Sequence, residues 1–283
     1  MSMSINTNAG AEVAAVAAQR AAAMMDEAML RLSTGKRINS ARDDAAGLAV
    51  ATRMAKEIAG LSQALRNAND AQGLIDTGES ALKEVSTLLL RMREIAVSAS
   101  SDTNTDADRA ALDTEVTALE TEISRIGDQT SWGGINLFTG TYGKSSPIRF
   151  HLGPTSTNFI DVTLGVVSIA ARGSDLQGSL SLTGSVSSRS NATSYLAGID
   201  AAISIISARR GAFGAVSNRL TSAISNLENM KSSMVTAKGQ VEDANYAEET
   251  AKLARAQILM QAATAMLAQA NASKNATLKL VTG

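Results

Sequence analysis

The hydrophobic residues of this chain recur at alternating intervals of three and four positions over most of its length. The clearest run is Leu253, Ala256, Met260, Ala263, Leu267 and Ala270. The same spacing recurs in four further stretches, which begin at Ile58, Leu82, Leu112 and Phe213. Intervals of three and four place side chains on one face of a helix, as at the a and d positions of a coiled coil. The pattern therefore predicts four or five long helices that share one mode of packing.

The amino-terminal segment carries a thinner hydrophobic stripe. Its members are Val13, Ala17, Ala21, Met24, Ala28 and Leu32. An isolated helix of this kind is marginal in water, because most helical stability in proteins comes from packing of an apolar face. Both terminal stripes are rich in alanine, with Met and Leu at intervals. We therefore expect the two ends of the chain to pair with each other or with other copies.

The middle of the chain has a different character. The only two prolines are Pro147 and Pro154. Because proline interrupts helices, its absence from residues 5–146 and 155–283 leaves both stretches free to form helix. Apolar and polar residues alternate at residues 148–152, between the two prolines, and they alternate again at 160–164, after Pro154. This alternation around a turn-rich segment predicts a β-hairpin with one apolar face, which the helices would have to cover. Residues 173–189, rich in Gly and Ser, predict a loop.

These patterns define a fold class. Aromatic residues make up only 3% of the chain, so its core must consist of many small contacts between long elements. We predict a mainly α fold: a long coiled-coil helical rod, or helical bundle, with a small β-hairpin region and both termini paired as helices.

The composition excludes several classes of function. The chain has no cysteine and one histidine, His151, which removes thiol chemistry and multi-histidine metal cages. His151 falls on the polar face of the predicted strand, and no catalytic set surrounds it in sequence. The formal net charge is -1 without a basic stripe, which argues against nucleic acid, and no apolar run reaches the ~18 residues of a membrane span. We predict no catalytic, cofactor-binding or metal site, and no membrane partner.

Several ordered motifs at the two ends resemble bacterial flagellin. Residues 5–8 have the sequence INTN, and residues 31–47 have the sequence RLSTGKRINSARDDAAG. Near the other end, GAVSNRL at 214–220, ARAQIL at 254–259 and LAQAN at 267–271 are similar to the family's carboxyl-terminal helices. The resemblance covers roughly residues 1–170 and 190–283.

The resemblance implies a division into domains. Residues 1–43 and 240–283 correspond to a terminal helical core domain, and residues 44–170 and 191–239 to a rod domain with the hairpin. Residues 171–190 stand where larger flagellins insert outer domains, which implies a short form lacking them. The chain departs from the family's pattern at its extreme carboxyl end, where the usual proline is absent.

The resemblance also implies a function: a secreted, extracellular structural subunit that self-assembles into the bacterial flagellar filament for swimming motility. The implied partners are other copies of the chain, an export chaperone, and the cap and junction proteins. The expected polymerisation core consists of Val13, Ala17, Met24, Leu32, Leu253, Met260, Ala263, Leu267 and Ala270. Contact with a Toll-like innate receptor is implied at Leu90, Arg91, Ile95 and Glu115.

Two alternatives remain open from the residues alone. One is a hook-filament junction protein of the same superfamily, whose termini resemble those of flagellin. The other is a coiled-coil binding module for another protein.

Overall fold

The computed structural model describes residues 7–139, 147–153, 158–163, 167, 182 and 184–282, with side chains through residue 276. Most of the predicted loop at 171–190 lies outside these residues. The described residues form five helices and two antiparallel hairpins. These elements are α1 (Ala9–Thr34), α2 (Ala45–Ala99), α3 (Asp106–Gln129), β1 (Ser131–Trp132), β2 (Ile135–Asn136), β3 (Ile148–His151), β4 (Phe159–Val162), α4 (Arg189–Glu242) and α5 (Tyr246–Thr282). The predicted mainly α fold with paired terminal helices and a small hairpin region is confirmed.

The helices begin at residues whose side chains satisfy free backbone N–H groups. The Asn8 side chain accepts a hydrogen bond from the Ala11 N–H at 3.1 Å, at the start of α1. Asp44 Oδ1 accepts from the Gly47 N–H at 2.8 Å at the start of α2. Thr105 and Asp108 form a reciprocal capping box at the start of α3.

The chain divides into two compact units. One consists of residues 1–58 and 233–283, and the other of residues 59–232. Each holds part of α2 and part of α4. The sequence-based domain boundaries at residues 43/44 and 239/240 stay a prediction.

The unit of residues 59–232 has a hydrophobic core between α2, α3, α4 and the second hairpin. The members with the largest fully buried side chains are Ile75, Leu82, Leu89, Met92, Ile123, Leu137, Phe138, Leu182, Tyr195 and Ile199. The predicted stripe that begins at Leu82 is buried throughout, since all five of its members lie in this core. Strands β3 and β4 pair in the register Ile148–Val162 and Phe150–Ile160, and Ile160 and Val162 face the core. The helices thus cover the apolar face of the predicted hairpin.

The first hairpin was not predicted from the sequence. Strands β1 and β2 are joined by Gly133 and Gly134, whose φ angles are 57° and 83°. Two successive positive φ values are typical of a type I′ turn, for which glycine is suited because it lacks a Cβ. The Gly-Gly pair between Trp132 and Ile135 was the sequence signal for this hairpin.

Candidate assembly interface

The two terminal helices form an antiparallel pair, which we call the terminal pair. At one end, Asn8 Nδ2 donates to the carbonyl of Ala270 at 3.2 Å. At the other end, the Tyr246 hydroxyl donates to the carbonyl of Leu32 at 2.9 Å. Helix α1 therefore runs alongside α5 over nearly its full length.

The interface between these helices, which we call the seam, consists mostly of alanine. On α1 the buried residues are Ala14, Ala21 and Ala28, spaced by seven, and on α5 they include Ala256 and Ala263. The other α5 residues of the predicted stripe are Leu253, Met260, Leu267 and Ala270, and all four are half-buried. A seam of small side chains lets the two backbones approach closely.

The predicted stripe of α1 coincides with the seam only in part, since Ala21 and Ala28 are buried there, whereas Val13, Ala17 and Met24 are not. Val13 is 71% exposed and Met24 is 47% exposed; Ala17 is also exposed. Of the α1 residues assigned to the polymerisation core, Leu32 alone is partly covered. The prediction placed the larger apolar side chains of α1 at the interface. The covered positions are instead mostly alanines, at alternating intervals of three and four. The residues at that spacing are Ala11, Ala14, Ala18, Ala21, Met25, Ala28 and Leu32.

The large apolar residues of α1 line a surface groove instead, together with one residue of α5. This outer groove has a volume of about 490 Å³. Its lining is Glu12, Val13, Val16, Ala17, Arg20, Ala21, Met24 and Leu259. Two further large residues of α5, Ile258 and Met266, are also mostly exposed. The sequence analysis missed Val16, Ile258 and Leu259, since they fall outside the heptad positions.

A network of polar contacts joins the segment after α1 to the end of α4. Gly35 closes α1 with φ 70° and its carbonyl accepts from the Ala244 N–H at 2.9 Å. The Arg37 N–H donates to the Glu242 carbonyl at 2.7 Å, beside an antiparallel bridge between Lys36 and Asp243. These backbone bonds fix where the chain leaves one helix and enters the next.

Glu242 is the charged centre of this network. Its carboxylate lies 2.5 Å from Lys36 Nζ and 2.8 Å from Lys238 Nζ, and the residue is buried. Hydrogen bonds from Lys238 and Lys36 lower the pKa of the Glu242 carboxyl, against the opposing effect of burial. The ion pair with Glu242 in turn raises the pKa of Lys36.

A second buried carboxylate, Glu249, lies on α5 facing α1. Lys252 Nζ is 2.9 Å from it and Arg31 Nη1 is 3.4 Å from it. Burial opposes ionisation of Glu249, but Lys252 and Arg31 outweigh that effect, so the pKa of its carboxyl is lowered. Neither Glu242 nor Glu249 was singled out from the sequence, although each has a lysine within four positions.

The predicted receptor face lies in the other unit and is only partly a surface. Leu90, Arg91 and Glu115 are exposed, and Arg91 Nη2 is 2.9 Å from the Glu115 carboxylate. Ile95 is 3% exposed and belongs to the core, because it lies on the face of α2 that packs inward. Ile95 therefore cannot contribute a side chain to an exposed face in this fold.

The described residues include His151, the one histidine of the chain. Among them, no group of three or more His, Cys, Asp or Glu could hold a metal ion. The side chain of His151 is exposed, and its carbonyl accepts from Asn67 Nδ2 at 3.0 Å. In the same part of the chain, every helix is too short or too polar to span a bilayer.

Comparison with known proteins identifies the family to which this chain belongs. Residues 5–143 match the family model of the bacterial flagellin N-terminal helical region, and residues 196–281 match that of the C-terminal helical region. A flagellin of Halalkalibacterium halodurans is 39% identical over 255 residues, which cover 90% of this chain and 91% of that protein. The chain belongs to the flagellin family.

One of the relatives is a longer flagellin. Polar flagellin F of Vibrio parahaemolyticus is 28% identical over 379 residues, covering 99% of this chain and all of that protein. The alignment is longer than this 283-residue flagellin, so the relative has segments with no counterpart here. The crystal structure of Bacillus cereus flagellin is 30% identical, covers 57% of this chain and 88% of that one, and has a TM-score of 0.48.

Membership of this family confirms the predicted filament subunit. This flagellin is a structural protein that self-assembles into the flagellar filament, as its relatives and both family models indicate. The relatives described above are themselves flagellins, so neither the junction protein nor the binding module is favoured.

Proposed function

We propose that copies of this flagellin join the filament by burying the outer groove of the terminal pair against neighbouring subunits. The observation that carries this proposal is that the small side chains of the terminal pair are buried and the large apolar ones are exposed. Alanines fill the seam, while Val13, Val16, Met24 and Leu259 remain outside it. Clustered large apolar side chains on a surface mark interaction sites, because their exposure to water is unfavourable.

The alanine seam also makes the terminal pair dependent on assembly. A buried alanine removes little apolar area from water, so the seam alone gives a weak driving force for pairing. Docking of a neighbour on the outer groove adds the burial of the larger side chains. The terminal pair is thus only weakly stable in the free subunit and gains stability on incorporation, which restrains polymerisation of free subunits.

The geometry of such a contact favours an open polymer. We infer that a neighbour covers the outer groove with a different patch of its own surface, because a groove is filled by a protruding surface rather than by another groove. Head-to-tail contacts that do not close on themselves generate helical filaments. A net charge of -1 leaves little electrostatic repulsion between the copies.

The test is a charge placed in the outer groove. An unpaired carboxylate buried at an apolar contact costs several kcal/mol. We expect Val13→Asp to abolish elongation of filament seeds by purified subunits, measured by light scattering and electron microscopy. Gln19→Asp is the matched control, since residue 19 is exposed on the same helix and faces away from the seam. Wild-type elongation by Val13→Asp would overturn the proposal.

The residues assigned to the polymerisation core then have two roles. Val13, Ala17 and Met24 contact neighbouring subunits directly through the outer groove. The half-buried Leu32, Leu253, Met260, Leu267 and Ala270, with the buried Ala263, hold the terminal pair together.

We further propose that the subunit is secreted and handled by an export chaperone and by the cap and junction proteins of the flagellum. A chain without cysteine suits passage in an unfolded state, because no disulfide can form on the way. Deletion of the export apparatus should leave the protein inside the cell. Its appearance in the medium of such a strain would contradict this route.

We also propose that Leu90, Arg91 and Glu115 contact a Toll-like innate receptor, without Ile95. Arg91→Ala should reduce the response of receptor-reporter cells to purified monomer. Arg93→Ala is the control, because Arg93 is similarly exposed on α2 and pairs with Asp200 at 2.8 Å. An equal loss of response in both variants, or in neither, would remove Arg91 from the contact.

A further inference from the structure

Three exposed methionines lie on the terminal pair. Met24 and Met29 are 47% and 53% exposed on α1, and Met266 is 63% exposed on α5. Oxidation of a thioether depends on access of the oxidant to the sulfur. In a chain without cysteine, these three are the most exposed sulfur-bearing side chains described in the terminal pair, whereas Met25 and Met260 are half-buried.

Met24 has the most consequential position of the three. It lines the outer groove beside Val13, Val16 and Leu259. It also lines a second groove, of about 280 Å³, with the charged residues Arg31, Glu249 and Lys252. Met24 therefore lies where the apolar part of this surface meets its charged part.

Met29 provides an internal comparison. It is five residues from Met24, which places it about 140° away around the helix at roughly 100° per residue. It lines neither of these two grooves. The two methionines have similar exposure on one helix, but only one of them belongs to the outer groove.

We propose that Met24 is a modification site at which oxidation of the free subunit to methionine sulfoxide prevents its incorporation into the filament. The proposal rests on the assembly role of the outer groove given above. The sulfoxide converts a flexible apolar side chain into a polar one. A neighbour that covers the groove would then bury a strong dipole without a partner, which is unfavourable.

The reaction is an oxygen-atom transfer from a peroxide. The Met24 sulfur donates an electron pair to one oxygen of hydrogen peroxide, an S–O bond forms and the O–O bond breaks. The departing hydroxide takes up the proton lost from the transferred oxygen and leaves as water. Sulfur is oxidised by two electrons and the peroxide is reduced by two.

Oxidation of Met24 therefore controls the growth of the filament and does not affect the finished filament. In a free subunit the Met24 sulfur is accessible, whereas in the filament a neighbour covers it. Oxidant exposure therefore stops the addition of subunits and leaves existing filaments intact. Because methionine sulfoxide is reducible by sulfoxide reductases, the block is reversible.

The experiment compares elongation of filament seeds by subunits that have or have not been treated with hydrogen peroxide. Treatment should reduce the wild-type elongation rate about tenfold or more, the effect expected for burying an unpaired polar group. Treated Met24→Leu should keep its rate, and treated Met29→Leu should lose its rate as the wild type does. Met24→Gln should elongate slowly without treatment. Mass spectrometry with peptide fragmentation assigns the added oxygen to a residue.

Two results would overturn the proposal. One is an undiminished rate in wild-type subunits whose Met24 is fully converted to the sulfoxide. The other is an equal loss of rate in treated Met24→Leu and treated wild type. The proposed function fails separately, if untreated wild-type subunits do not elongate seeds at all.

Discussion

The ammonium of Lys36 lies 2.5 Å from the carboxylate of Glu242, joining the segment that follows α1 to the last residue of α4. Lys238 holds the other carboxylate oxygen at 2.8 Å. The pair fixes the connection between the helices of one compact unit, because Arg37 and Ala244 make backbone hydrogen bonds on either side of it.

The first prediction concerns pH. The pKa of Glu242 is lowered from its ordinary value of 4.5, so its ionised form stabilises the folded unit. That stabilisation is fully present above about pH 4.5 and is lost as the pH falls through the lowered pKa. Glu242→Gln should reduce the free energy of unfolding by about 1–3 kcal/mol at pH 7, since hydrogen bonds to a charged group are lost. Thermal unfolding followed by circular dichroism measures the difference.

The pH dependence of this difference is the decisive part. The stability difference between wild type and Glu242→Gln should shrink as the pH falls below about 4.5, because the wild-type carboxyl becomes protonated as the pH passes through its lowered pKa. Glu228→Gln, an exposed position on the same helix, serves as the control and should match the wild type across this range. A difference between Glu242→Gln and wild type that stays constant as the solution is acidified from pH 7 would contradict the assignment.

The second prediction tests the position of the seam. Ala21 is 1% exposed between α1 and α5, so Ala21→Leu should separate the helices and destabilise the terminal pair by about 1–3 kcal/mol. Ala17→Leu should be tolerated, because Ala17 is exposed. Limited proteolysis of the monomer checks both variants. Equal protease resistance in the two would mean that α1 packs in another register.

The third prediction concerns a close approach in the other unit. A Cβ at Gly127 would lie 1.9 Å from the carbonyl oxygen of Val167, a backbone atom. Gly127→Ala should therefore shift the Val167 segment and destabilise the unit by about 1–3 kcal/mol. Gly214→Ala on α4 meets nothing within 4 Å and should stabilise by about 0.5–1 kcal/mol. Denaturant unfolding compares the two, and effects of equal sign would refute the contact.

The fourth prediction uses the only tryptophan of the chain. A Cβ at Gly73 would lie 2.6 Å from the indole of Trp132, so the ring packs directly on α2. Gly73→Ala should push the partly exposed indole outward, with a red shift of its fluorescence and a small loss of stability, below about 1 kcal/mol. An unchanged emission maximum would show that the indole does not rest on Gly73.

The sequence predicted the parts of the fold that depend on large, regularly spaced side chains. The stripe from Leu82 to Ala96 and the α5 stripe from Leu253 to Ala270 both face the interior, since Leu, Val and Met bury most area per residue. The hairpin at residues 148–162 followed from strict alternation.

Two features of the candidate interface could not be predicted from the sequence. The α1 seam consists of alanines, which resemble one another around the whole helix and give no preferred face. Glu242 and Glu249 are buried only because distant parts of the chain bring lysine or arginine to them, as Arg31 does for Glu249. Residues such as Ile95, on an inward face of a long helix, show the same limit, because a motif match carries no information on burial.

The central claim is that neighbouring subunits cover the outer groove in the filament, and the absence of native cysteine allows a direct measurement. In Val13→Cys the introduced thiol is the only one, so its labelling rate with a soluble maleimide reports the accessibility of the groove. The rate in free subunits should be close to that of the denatured chain, as expected for a residue that is 71% exposed. In assembled filaments we predict that the rate falls at least about tenfold, as for a thiol shielded by protein contact. Equal labelling rates in subunits and filaments would contradict the account.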